Sequence, residues 1–196
     1  MKKSFWLMAV PFLFVACNNG GNDSVSKADS TNEAKSDSNM TDNSKMNSGA
    51  LAVSEATASF MTGVADVSMA EVKLGQLAQD KSSNARIKAF GEMMVRDHSK
   101  ANDELKALAG KKNVTLPAKI GDAHQKKYDD LSKKSGKDFD KAYINAMVDG
   151  HEAAVSDFKK QTDNSDADVK EWVNKTLPTL QMHLDSARAI KKALKY

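Results

Sequence analysis

Four side chains that can hold a metal ion fall where leucines are expected. Glu71 lies between Val67 and Leu74 on one apolar stripe, and His98 continues the series Ile87, Phe90, Met94, Ala101 and Leu105. His151 follows Tyr143 and Met147 and precedes Ala154, while His183 stands between Leu180 and Ala187. These steps of three and four residues mark the inner faces of amphipathic helices. Inward-facing carboxylate and imidazole in a helical bundle are the donors a transition metal takes, because the helices fix their positions and exclude water.

Methionine qualifies the choice of ion. Met94 and His98, like Met147 and His151, are four residues apart on one helical face, and Met182 precedes His183. Thioether with imidazole suits Cu(I), a soft ion. The competing reading is structural: methionine fills irregular cores, and ten methionines in 196 residues bring such spacings about by chance. Under that reading the histidines are core residues that need only a hydrogen-bond partner. His124, among lysines, is expected to be exposed and is not expected to be a ligand.

Arrangements that would carry catalysis are missing. No glycine-rich phosphate loop precedes a helix, and no serine sits in a nucleophile turn. Asp97 beside His98 does not make a dyad, since neighbouring helical residues point about 100° apart. The sequence therefore favours a non-enzymatic protein.

The elements that must position these residues are all helical. The first runs from an N-cap at Ser54 to about Gln79, and Lys81 to Ser83 forms a turn into a second that spans Ser83 to Ala109. A shorter helix is expected through Ile120, His124 and Leu131, ending near Ser135 and Gly136. Asp138 can cap a long helix through Phe158, and a last one runs from Val169 to Leu194 with a kink expected at Pro178. No stretch alternates with period two, so the fold class is all-α. Short turns join the first and last pairs of long helices, and about thirty residues separate the pairs, which suits one crossover connection. Gly63, Gly75, Gly91 and Gly150 lie inside helices at ~1 kcal/mol each relative to alanine. They permit either close helix contact or space for a small ligand.

Before the helices come two accessory segments. Met1 to Cys17 has a basic start, an apolar run from Phe5 to Ala16 and the chain's single cysteine. That run is short of the ~20 residues of a membrane span, so it reads as a cleaved export signal. Val15 and Ala16 before Cys17 resemble the bacterial lipoprotein signal, which implies a lipid-anchored Cys17 and a place in the cell envelope, at the outer membrane of a Gram-negative bacterium. An internal disulfide is excluded. Residues 18–53 are rich in Asn and Ser with no aromatic, and are expected to be a disordered tether reaching ~30 Å. Residues 54–196 then form the globular domain. Without Lys2 and Lys3 the basic count falls from 29 to 27, against 26 acidic residues, so charge gives no argument for nucleic acid. A protein partner is not identified.

The sequences MAEVKLGQLA, FGEMMVRDHSKA, FDKAYINAMVDGHEAAV and LPTLQMHLDSA, in this order after a lipoprotein-like signal, resemble domain-of-unknown-function family forty-one forty-two. The resemblance implies exported bacterial proteins with a ferritin-like four-helix bundle, here with a short extra helix between the helix pairs, and no established activity. Carried over residue by residue, its pattern falls on Glu71, Asp97, His98, His151 and His183. Di-iron members of the ferritin-like fold need a Glu-x-x-His pair on two helices, but Val95 and Leu180 stand where those glutamates should be. Ferroxidase chemistry is thereby disfavoured.

Counting ~1.5 Å per residue, Glu71 lies ~15 Å and His98 ~25 Å from the first turn, with His151 ~20 Å and His183 ~29 Å from the last. These levels predict two small sites or one network of buried hydrogen bonds in preference to a single tetrahedral centre. The expected function is a cell-envelope lipoprotein of uncharacterised, non-enzymatic role. The alternative is binding or storage of copper, zinc or iron through Glu71, His98, His151 and His183, with Asp97, Met94 and Met147 as secondary candidates.

Overall fold

The computed structural model describes residues 23–37 and 51–194, and among these every regular element is a helix. They are α1 (Ser24–Asp37), α2 (Glu55–Lys81), α3 (Ala85–Lys112), α4 (Asp122–Ser132), α5 (Gly136–Lys160) and α6 (Ala167–Leu194). The expected lipidation at Cys17 and the signal segment lie outside the described residues.

Local chemistry sets the helix ends. Ser54 is the N-cap of α2, its hydroxyl accepting from the Thr57 amide at 3.2 Å. Asn84 caps α3 by accepting from Arg86, and Asn113 ends it in the left-handed conformation at φ 55°. Asp138, expected as the cap of α5, instead lies in its first turn, because the helix begins earlier, after Ser135. The last helix passes through Pro178 without ending.

The four long helices bury one core that includes Met61, Ile87, Phe139, Tyr143, Met147 and Val173. Ion pairs and hydrogen bonds at its two ends define the topology. At the upper end Ser82, after α2, donates to Asp140 of α5 at 2.6 Å, and Lys81 reaches the Lys134 carbonyl at 2.9 Å. At the lower end Lys112 of α3 meets Asp166 and Asp168, at the start of α6, at 2.7 Å each. So α2 and α6 rise while α3 and α5 descend, and the segment containing α4 climbs the length of the bundle between the two hairpins. This is a four-helix bundle with a single crossover, the topology found among ferritin-like folds.

Within the first hairpin the backbones nearly touch. A Cβ placed on Gly75 would lie 2.6 Å from the Gly91 carbonyl oxygen, and one on Gly91 would lie 2.6 Å from that of Gly75. Only glycine permits this approach of α2 to α3.

The N-terminal segment departs from expectation. Residues 24–37, predicted as part of a disordered tether on composition, form α1 and dock on α2 and on the connection after α3. Several of the contacts are polar, beside the buried Ala28. The buried Asn32 amide donates to the Thr115 carbonyl at 2.9 Å and accepts from its amide at 2.7 Å. Lys35 donates to the Asn113 carbonyl at 2.8 Å, and Thr62 donates to Asp29 at 2.5 Å. A composition rule counts apolar burial, so a helix held by satisfied polar groups escapes it.

Candidate metal centre

Glu71 on α2, His98 on α3, His151 on α5 and His183 on α6 are all buried and meet in one cluster at the bundle centre. Glu71 Oε2 lies 2.6 Å from His98 Nε2 and 3.3 Å from His151 Nε2. The imidazole centroids are 5.3 to 5.7 Å apart, and one nitrogen from each ring falls within 4.8 Å of the others.

The two expected levels thus collapse into one, for a geometric reason. Glu71 and His183 each stand 16 residues above the start of a rising helix, placing their Cα atoms ~24 Å from the lower end. His98 and His151 precede the lower ends of descending helices by 14 and 9 residues, ~21 and ~14 Å up. Helical side chains tilt toward their own N-terminus, so the first pair leans down and the second leans up. Counting Cα levels alone omits that convergence.

Each imidazole is oriented by a partner on its far side. His151 Nδ1 faces the Met147 carbonyl at 2.9 Å, so it carries the proton and leaves the Nε2 lone pair free. His183 Nε2 faces the Asp97 carboxylate at 2.9 Å, which frees Nδ1 in the same way. His98 Nδ1 is 3.2 Å from Ser68 Oγ, leaving Nε2 toward Glu71. The four inward atoms, Glu71 Oε2, His98 Nε2, His151 Nε2 and His183 Nδ1, are buried and none has a hydrogen bond of acceptable geometry. Carboxylate, carbonyl and hydroxyl behind ligating histidines are what a metal centre uses to fix tautomer and ring orientation.

Electrostatics divide the cluster into charged and neutral members. Burial alone would raise the Glu71 pKa, but His98 and His151 beside it hold it well below the usual carboxylate range. Burial opposes protonation of His98, and the Glu71 carboxylate overcomes this and raises its pKa. Burial dominates at His183, which drops to about 4 despite Asp97. Without an ion, the Glu71 carboxylate favours the charged form of His98, while burial favours the neutral form of His183.

The secondary candidates separate. Asp97 supports His183 and pairs with Arg96 at 2.8 Å, so it acts behind the cluster. Met94 and Met147 are buried in the core, while Met182 is 45 % exposed. His124, expected on the surface, is half-buried and bound to Asp66 at 2.7 Å, because α4 packs on α2. Ser68, one turn before Glu71 on the same stripe, is a contributor that sequence reasoning passed over. A small hydroxyl carries little pattern signal.

The family model described as Domain of unknown function (DUF4142) matches residues 42–190. The chain belongs to this family. No curated protein and no solved structure matches it. In this DUF4142 chain the matched region contains Glu71, Asp97, His98, His151 and His183 together, and leaves α1 and Cys17 outside.

Proposed function

We propose that the chain is a cell-envelope lipoprotein, anchored through Cys17, whose bundle binds one divalent transition-metal ion through Glu71, His98, His151 and His183. The observation that carries this reading is the convergence of four buried inward donor atoms, one from each long helix, behind which every imidazole is already oriented. A core built only for stability gains nothing from gathering three imidazoles around one carboxylate and leaving the buried His183 Nδ1 without a hydrogen bond.

Three nitrogens and one carboxylate oxygen are a borderline donor set, suited to Zn(II) and its neighbours. The set contains no sulfur, which disfavours Cu(I). Seating a tetrahedral ion requires the 2.6 Å Glu71–His98 contact to open by ~0.7 Å, since ligand atoms ~2.0–2.1 Å from zinc stand ~3.3 Å apart. The ion would replace the proton held between those two residues. Leu180 and Val95, where a second pair of glutamates would be needed, leave no bridging carboxylate, so the reading is one ion per chain in a binding or buffering role.

Elemental analysis of the chain purified from its own envelope fraction, without tag or chelator, tests this. The reading expects close to one transition-metal atom per chain, lost in His151→Leu while the helical spectrum persists. Metal well below one atom per chain, with no uptake on reconstitution, refutes it.

A further inference from the structure

Below the cluster the bundle does not close. A cavity of about 700 Å³ extends from Glu71, His98 and His183 to the lower end of the helices. Its volume lies within the range of sites that enclose a small organic molecule, and far exceeds what an ion needs. Small residues on facing helices make the space: Gly63, Ala101, Gly150 and Ala154 line it. A Cβ on Gly63 would meet nothing within 4 Å, and one on Gly150 would meet only Glu71 Oε1, at 3.5 Å. The intrahelical glycines therefore serve two purposes. Gly75 and Gly91 bring backbones together, whereas Gly63 and Gly150 hold space open.

The chamber is graded along its length. Phe60, Phe158 and Trp172 provide aromatic walls, with Val64, Val67 and Leu105 between them. The cluster supplies the buried polar groups of the lining, and Lys127, Asp149, Asp157 and Lys160 add charged side chains to it. A divalent ion at the cluster, with one Glu71 carboxylate and neutral imidazoles, leaves a net positive charge facing an apolar space. Such a charge attracts an anionic oxygen, and the walls take an apolar body.

We propose that this chamber binds an apolar small molecule bearing an anionic oxygen head group, with the head at the Glu71–His183 end and the body along the aromatic walls. The head-group assignment rests on the metal reading; the apolar body does not. By linkage, ion and ligand strengthen each other's binding by the same factor, and coupling of this kind is typically ~5–150-fold.

The test is calorimetric titration of dodecanoate and of dodecanol, which share a tail, into a chain lacking residues 1–17 but keeping every described residue. It is run zinc-loaded and zinc-free. The proposal expects one dodecanoate per zinc-loaded chain, at least ten-fold weaker binding of dodecanol, and at least ten-fold weaker dodecanoate binding without zinc. Gly63→Leu and Ala154→Phe, which fill the chamber away from the ion's ligands, are expected to abolish uptake of both while zinc binding and melting temperature are maintained. No saturable dodecanoate uptake by the zinc-loaded chain, or uptake unchanged in both variants, overturns the proposal. Equal affinity for acid and alcohol overturns the head-group assignment. A chain that takes no zinc, yet binds dodecanoate in a way Ala154→Phe abolishes, supports the chamber and refutes the ion.

Discussion

At the scale of single residues, protonation is the sharpest consequence of the cluster. The Glu71 carboxylate, 2.6 Å from His98 Nε2, raises the pKa of this imidazole, and an ion must displace the proton between them, so zinc binding is expected to release protons and to tighten as pH rises. Calorimetry in two buffers of different ionisation enthalpy measures that release. His183 adds a pH dependence of the same sense in the metal-free protein. Its pKa is lowered to about 4 from 6.5, so below pH 6.5 the unfolded chain takes up a proton that the folded one refuses. Stability contributed by this group is present above pH 6.5 and is lost as pH falls toward 4, a trend that urea unfolding from pH 7 to pH 4 should show and that His183→Gln should reduce. Asp97→Asn removes the carboxylate behind His183 without touching the ion, and is expected to weaken zinc binding by ~10–100-fold.

At the scale of elements, the helical periodicity displayed all four inward donors, since each interrupts an apolar stripe with a polar residue. Their convergence stayed hidden, because it depends on helix direction and side-chain tilt, which residue counts along an unplaced helix do not contain. Likewise Asp97 points to a helix distant in sequence, and its pairing with His183 required the α3–α6 contact. Helix α1 was illegible for another reason, its docking by Asn32, Lys35 and Asp29 without a strong apolar face. Asn32→Ala strands the Thr115 backbone and is expected to cost ~1–3 kcal/mol of docking. Fast amide exchange confined to α1, with α2 to α6 unchanged, is the predicted result. The glycines divide in the same way. Gly75→Ala is expected to destabilise by ~1–3 kcal/mol, because its methyl would collide with the Gly91 carbonyl. Gly63→Ala meets open space and should stabilise by up to ~1 kcal/mol, both read from urea midpoints.

For the whole molecule, the crossover arranges four helices so that each contributes one donor to a common point, and an ion there ties the two hairpins together. Saturating zinc at ~1,000 times its dissociation constant would stabilise the fold by ~4 kcal/mol, with protection against hydrogen exchange rising in α2, α3, α5 and α6. Helix α1, which supplies no ligand, is expected to gain least. No helix among the described residues is long and apolar enough to cross a membrane. X-ray absorption fine structure at the zinc edge reads the proposed ligand set directly. Three imidazole nitrogens at ~2.0–2.1 Å and one carboxylate oxygen at ~2.0–2.2 Å are expected around the ion, with an imidazole lost in His98→Ala. A sulfur scatterer near ~2.3 Å, or a shell of oxygens unchanged by that substitution, would contradict that ligand set.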